Sequence, residues 1–269
     1  MPRRSPLPFR PLVVALLLVL PARTQAQTPP PALQCLLASY PGALCAATAI
    51  DLVWCDGSHM PLHDGSAGAT HQAQLEYGDL AAQMAQVYTP FAPLQPPGTD
   101  VEPGRIRNAA FLAKLYGQTP QAVRRKLQPL RWLDGTIVRI QGQFGLPQQL
   151  AAVRDDLARL PADVVGAARH TAGAFVWRRI HGTQRQSAHA YGIAIDVGVA
   201  ASDYWQWDTA DAQGRRIWHN RMAPEVVAAF ERHGFIWGGR WDHYDTMHFE
   251  YRPELLHPAC VGHAAPTVP

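Results

Sequence analysis

The sequence predicts an α+β fold: a small antiparallel sheet flanked by helices, carried behind an N-terminal extension. Segments with helical spacing of apolar residues and segments with strand-like alternation are mixed along the chain, without a regular βαβ rhythm. No internal repeat is evident. The chain has 269 residues and is 47% hydrophobic, which is enough to bury a core and too apolar for wholesale disorder.

The elements follow in order. Arg3, Arg4 and Arg10 surround and precede a short apolar run, PLVVALLLVL at 11–20, and PARTQA comes next. That order is a secretory signal peptide over residues 1–26, with cleavage after Ala26. The apolar run is too short for a membrane span of ~20 residues. The mature chain is therefore expected to be exported, periplasmic or in the cell envelope, with no stable membrane anchor after cleavage. Removing the leader's four arginines from the 24 basic residues leaves 20 against 21 acidic ones. A net charge near −1 does not fit a nucleic-acid binder, which would show a basic surface.

Residues 27–34, QTPPPALQ, read as a Pro-rich linker. A turn-rich stretch at 56–70 precedes an expected helix at 75–88, LEYGDLAAQMAQVY, and 89–104 is a Pro/Gly-rich loop. Residues 105–117 have helical spacing and end in Gly117, and a second helix is expected at 120–127. Residues 130–140 read as a hairpin turning at Asp134-Gly135. Residues 147–160 place Leu150, Val153, Leu157 and Leu160 on one helix face. Strands are expected at 173–180, 192–197 and 247–251, and a helix at 224–234 between Pro224 and Gly234. Cys35, Cys45, Cys55 and Cys260 form an even set in an exported chain, so disulfides are expected, with three pairings open. No CxxC occurs, which weakens a metal role for them.

The residues that carry chemistry fall between 177 and 250. Residues 187–196 read SAHAYGIAID and residues 237–250 read WGGRWDHYDTMHFE. Zinc favours imidazole nitrogen and carboxylate oxygen, and a catalytic site keeps three protein ligands. His189, Asp196 and His248 supply such a set. Asp196 shares a strand face with Gly192 and Ala194, and His248 shares one with Glu250. A bend near Gly192 would turn His189 towards Asp196. A structural role remains open for either histidine taken alone.

The pattern S-x-H-x-x-G-x-A-x-D, here Ser187, His189, Gly192, Ala194 and Asp196, followed by D-x-x-H, here Asp245 and His248, resembles the zinc peptidases of the D-Ala-D-Ala carboxypeptidase family. That family includes VanY-type D,D-peptidases and L-alanyl-D-glutamate endopeptidases, and shares its fold with lysostaphin-type enzymes and the hedgehog signalling domain. The resemblance covers roughly residues 173–256. It implies a zinc site on the sheet with His189, Asp196 and His248 as ligands, Asp245 as general base, and an upstream arginine on the substrate carbonyl. Arg178 takes that last role, with Arg179 as the alternative. The implied substrates are peptidoglycan stem peptides, cut by D,D-carboxypeptidase or L-Ala-D-Glu endopeptidase action. The chain then divides into a signal peptide (1–26), an N-terminal extension with helices packing on the core (27–129) and a zinc peptidase core (130–269).

Around these residues the alternatives stay open. His243 is either beside the substrate or on the surface, and Ser187 either bonds a ligand or forms a turn. Tyr191, Trp237 and Trp241 either line the cleft or pack in the core, and Glu250 is placed to orient His248. A non-catalytic zinc domain that binds peptidoglycan or a protein is the competing class; Asp245 and the upstream arginine speak against it. The SxxK and HExxH motifs are both absent, which excludes those serine and zinc machineries. A Ser187–His189 nucleophile pair has no third group in view to orient it.

Overall fold

The computed structural model describes residues 28–210 and 216–258. The expected signal peptide and Cys260 lie outside the described residues. The fold is α+β, with helices mixed among small antiparallel sheets.

The expected linker turns helical at its third proline. Helix α1 (Pro31–Ser39) has Pro31 in its first turn, where the missing N–H leaves no bond unmade, and it buries Leu33 and Leu36. Strands β1 (Leu44–Ala47), β2 (Asp51–Trp54) and β3 (His59–Pro61) then form an antiparallel sheet. No strand was expected here, because turn residues dominate 56–70 and the strands are only 3 or 4 residues long. A disulfide between Cys45 and Cys55 bridges β1 and the end of β2, and Cys35 is disulfide-bonded as well.

The helix expected over 75–88 is broken into α2 (His71–Tyr77) and α3 (Leu80–Met84). Asp79 makes the break: its carboxylate accepts the Ala82 N–H at 2.8 Å as the cap of α3. Helix α4 (Ala109–Tyr116) starts later than the expected 105, because Asn108 caps it through the Phe111 N–H. Arg105 therefore lies in a turn before the helix, where its N–H donates to the Glu102 carbonyl, and Arg107 follows a bend at Ile106, so neither is on the helix face. Helix α5 (Pro120–Arg124) is capped by Thr119.

Strands β4 (Leu127–Arg131) and β5 (Ile137–Gln141) pair as the expected hairpin, with Gly135 in the turn at φ +88°. Helix α6 (Leu146–Arg159) buries Leu146, Leu150, Val153 and Leu157 on one face, and a short α7 (Ala162–Val165) follows. The remaining elements are β6 (Thr171–Gly173), α8 (Ala188–Tyr191), β7 (Ala194–Val197), α9 (Pro224–Arg232), β8 (Phe235–Trp237), β9 (His248–Tyr251) and α10 (Pro253–Leu256). Their strands form a sheet in the order β6-β7-β9-β8, with every neighbouring pair antiparallel.

The strand expected at 173–180 ends at Gly173. Beyond it the backbone finds partners off the sheet: Val176 N–H donates to the His189 carbonyl, and Arg178 C=O accepts from Ser187 N–H. Phe249 of β9 stacks on Phe230 of α9, with ring centroids 3.7 Å apart. Helix α9 thus covers one face of the sheet, and alternation sends His248 and Glu250 to the other. Buried side chains from Leu33 to Leu255 join in one core. Fully burying a large apolar side chain contributes roughly 1.5–3 kcal/mol, so this core, and not strand length, holds the short strands in register. No described helix is long and apolar enough to cross a membrane.

Candidate metal centre

Three local features converge on one point. The register of β7 with β9 sets Asp196 directly opposite His248, so their side chains meet on the open face of the sheet. His189 arrives from α8, not from an extended segment. Gly192 ends that helix in the left-handed region at φ +70° and turns the chain into β7. A Cβ at Gly192 would stand 2.7 Å from Leu127 Cδ2 and 3.2 Å from the Gln141 nitrogen, so the hairpin β4–β5 packs against a bend that only glycine fits.

His189 Nε2, His248 Nδ1 and Asp196 Oδ1 form a triangle with each edge 3.1 Å. The outer atoms of both rings fix the tautomers. His189 Nδ1 lies 2.6 Å from the Ala174 carbonyl oxygen, which can only accept, so Nδ1 carries the hydrogen. His248 Nε2 faces Glu250 Oε2 at 3.5 Å, and Arg107 and Arg252 hold Glu250 ionised. In the neutral rings, two nitrogen lone pairs and a carboxylate oxygen therefore point at one another with no hydrogen between them. A metal ion among them, or a proton on one imidazole, satisfies such a set. A tetrahedral zinc at ~2.0–2.1 Å from each donor places them about 3.3 Å apart, close to the observed edges. The residues present fit the metal.

The electrostatics agree. Burial opposes charge on Asp196, but His189 and His248 override it and hold its carboxyl far below the usual range. Burial likewise opposes a charged His248, yet hydrogen bonds to Asp196 and Glu250 push its imidazole up to about 9. The upward shift of His248 reports the negative charge around it, and the downward shift of Asp196 keeps a carboxylate ready to face a cation.

The cluster opens into a cavity of about 290 Å³ whose lining includes Arg178, Asp245, Trp241, His243 and Tyr204. Asp245 Oδ1 is buried without a hydrogen-bond partner among the described residues. Burial pushes its carboxyl up to about 6, with His248 opposing and Asp196 adding to the shift. Its backbone is seated by Gly238, whose carbonyl accepts the Asp245 N–H at 3.1 Å; a Cβ on Gly238 would come within 2.6 Å of the Asp245 carbonyl oxygen. Arg178 lines the cavity, whereas Arg179 turns to Gln184 in the loop that follows. Ser187 is the helix cap of α8, accepting the His189 N–H, and both nitrogens of the His189 ring face other partners, so the two do not form a nucleophile pair. Trp241 lines the cavity, while Tyr191 and Trp237 pack in the core.

A family model described as D-alanyl-D-alanine carboxypeptidase matches residues 181–251. The segment is similar to that family. No curated protein matches the chain, and no solved structure does. The family segment contains all three donors of the triangle and Asp245. Arg178 lies just before it, and the N-terminal elements lie outside it.

Several residues behind this family segment were not singled out in the sequence. Arg107 forks onto Glu250 through Nε and Nη2, and Arg252 bridges Glu250 to Glu254, which accepts from Tyr40, the residue that ends α1, at 2.6 Å. Glu102, fully buried, accepts from Arg105 Nη1, from the His243 N–H and from the His71 and His243 rings. His243 is therefore fixed at the cavity wall. The alternation Arg105-Ile106-Arg107, with Ile106 buried, was the available signal that two basic side chains flank one core residue ahead of α4.

Proposed function

We propose that this chain is a zinc metallopeptidase that hydrolyses a peptide bond in peptidoglycan stem peptides, by D,D-carboxypeptidase or L-Ala-D-Glu endopeptidase action, in the cell envelope after export. The observation that carries it is the triangle of converging lone pairs beside a buried acid with no partner. His189 Nε2, Asp196 Oδ1 and His248 Nδ1 would hold the metal. Bound zinc supplies Lewis-acid polarisation of the scissile carbonyl and makes water acidic enough to attack near neutrality.

The chain's own groups do the rest. Asp245 Oδ1 takes the proton of the attacking water and returns it to the leaving amine nitrogen. The Arg178 guanidinium meets the negative charge that grows on the carbonyl oxygen. Glu250 and the Ala174 carbonyl hold the two imidazoles in the tautomers that face inward. A domain that only bound peptide would have no use for a buried, unpartnered carboxyl beside the cluster.

Zinc content and product masses test this together. Purified protein should carry one zinc per chain, and His189→Ala, Asp196→Ala and His248→Ala should each lose most of it. Mass spectrometry of soluble muropeptides after incubation should show loss of one D-Ala or a cut after L-Ala. Full zinc occupancy in His248→Ala, or muropeptides left intact by the zinc-loaded protein, would refute the proposal.

A further inference from the structure

A second cavity of about 180 Å³ adjoins the metal-site cavity, and the two share Arg105, His181, Gln206 and His243 along their common wall. Arg185 lines this second chamber as well. No aspartate or glutamate among the described residues lines it. The acids nearby stand behind the wall: Glu102 holds Arg105 and His243, and Glu76 lies 3.4 Å from Arg185 Nε.

Arg185 is under-satisfied for a buried cation. Its side chain is only 11% exposed, and its Nε and Nη1 have no hydrogen-bond partner among the described residues. A guanidinium offers five N–H donors, and a charge withdrawn from water needs close partners. Burial, and then the neighbouring charges of Arg105 and Arg107, bring Arg185 down to about 10. Glu76 and Glu102 offset charge from behind the wall, but the Nε and Nη1 donors of Arg185 remain without hydrogen bonds among the described residues. A carboxylate matches these open donors best, because two coplanar oxygens meet a guanidinium fork.

We propose that this chamber is a carboxylate subsite, in which Arg185 and Arg105 hold a free carboxylate of the peptide beside the bond to be cut. The proposal rests on the peptidase function above and deepens it. Arg185 stands on the loop closed by the Ile180 N–H to the Arg185 carbonyl, inside the family segment. Arg105 comes from the N-terminal part of the chain. The subsite is thus assembled by both, and the N-terminal segment takes part in choosing substrate. The carboxylate has two possible sources: the C-terminus of a peptide trimmed at its end, or the carboxylate of a D-Glu at an internal bond.

The test compares two peptide pairs on the zinc-loaded, full-length protein. One peptide ends in D-Ala-D-Ala, as the free acid and as the C-terminal amide. The other contains an L-Ala-D-Glu bond, with the D-Glu α-carboxylate free and as its amide. Both kcat/KM and equilibrium binding by calorimetry are measured. In one pair the acid should be favoured by about tenfold to a hundredfold, and the pair that shows it identifies the source. Arg185→Gln should bring that ratio close to one, and Arg185→Lys, which keeps the charge without the fork, should retain part of it. Equal handling of acid and amide in both pairs overturns the subsite, as does a preference that survives Arg185→Gln. If neither peptide is cut, calorimetry separates the two ideas. An acid preference in binding that Arg185→Gln removes keeps the subsite and overturns the peptidase function, and equal binding overturns the subsite. Cleavage without acid preference keeps the peptidase and overturns the subsite.

Discussion

Asp245 and Asp196 are both aspartates at one cluster, yet their surroundings drive them apart. Asp196 faces two imidazoles and stays ionised, whereas burial brings Asp245 to about 6. A carboxyl near 6 can both accept and release a proton close to neutrality, as a group shuttling protons must. Asp245→Asn keeps the shape and removes the proton site, so it should retain zinc and fold while losing about 10²–10⁴ in kcat. Zinc content and initial rate, measured side by side with wild type, check this; zinc lost along with activity would make Asp245 a ligand instead. The donor triangle was legible in the sequence because each residue sits in a short pattern of small and aromatic neighbours. Glu102 and Arg185 were not. Glu102 meets His243 across 141 positions, and Arg185 matters through a chamber wall that no local spacing announces.

At the scale of elements, the hairpin β4–β5 and helices α6 and α9 were legible from periodicity and turn residues. The segment 173–180 was not, because its apolar residues promise a strand while its hydrogen bonds go to α8. The same limit explains why no helix was expected around His189: a helix of 4 residues leaves almost no periodic trace. What could be read was the need for a bend at Gly192. That bend is a testable hinge of the site. Gly192→Ala adds a methyl at φ +70° and presses it into Leu127 and the β5 backbone. It should destabilise the fold by roughly 1–3 kcal/mol and weaken zinc binding by displacing His189. Thermal melts and a zinc titration with a competing chelator measure the two effects. A variant with unchanged melting and zinc affinity would show that α8 does not depend on this turn.

Across the whole molecule, buried charges fasten the N-terminal segment to the family segment. Glu102 is the clearest case. Burial works against its charge, but the hydrogen bond from His243 and the positive charge of Arg105 hold its carboxyl well below the usual range. Since its folded value lies below its unfolded one near ~4.3, the stability it lends is complete above that pH and is lost as pH falls towards the folded value. Glu102→Gln should cost roughly 3–5 kcal/mol at pH 7, and its deficit against wild type should shrink as the pH drops below about 4. Denaturant melts at several pH values give both numbers, and a deficit independent of pH would mean that the charge is not what matters. A second chain of buried groups runs from His248 through Glu250 and Arg252 to Glu254 and Tyr40 at the end of α1. Linkage is reciprocal: whatever a bound metal contributes to the docking of α1, a docked α1 returns to the metal in equal measure. Loosening the first helix, far from the cluster along the chain, would then be felt as a weaker hold on the ion.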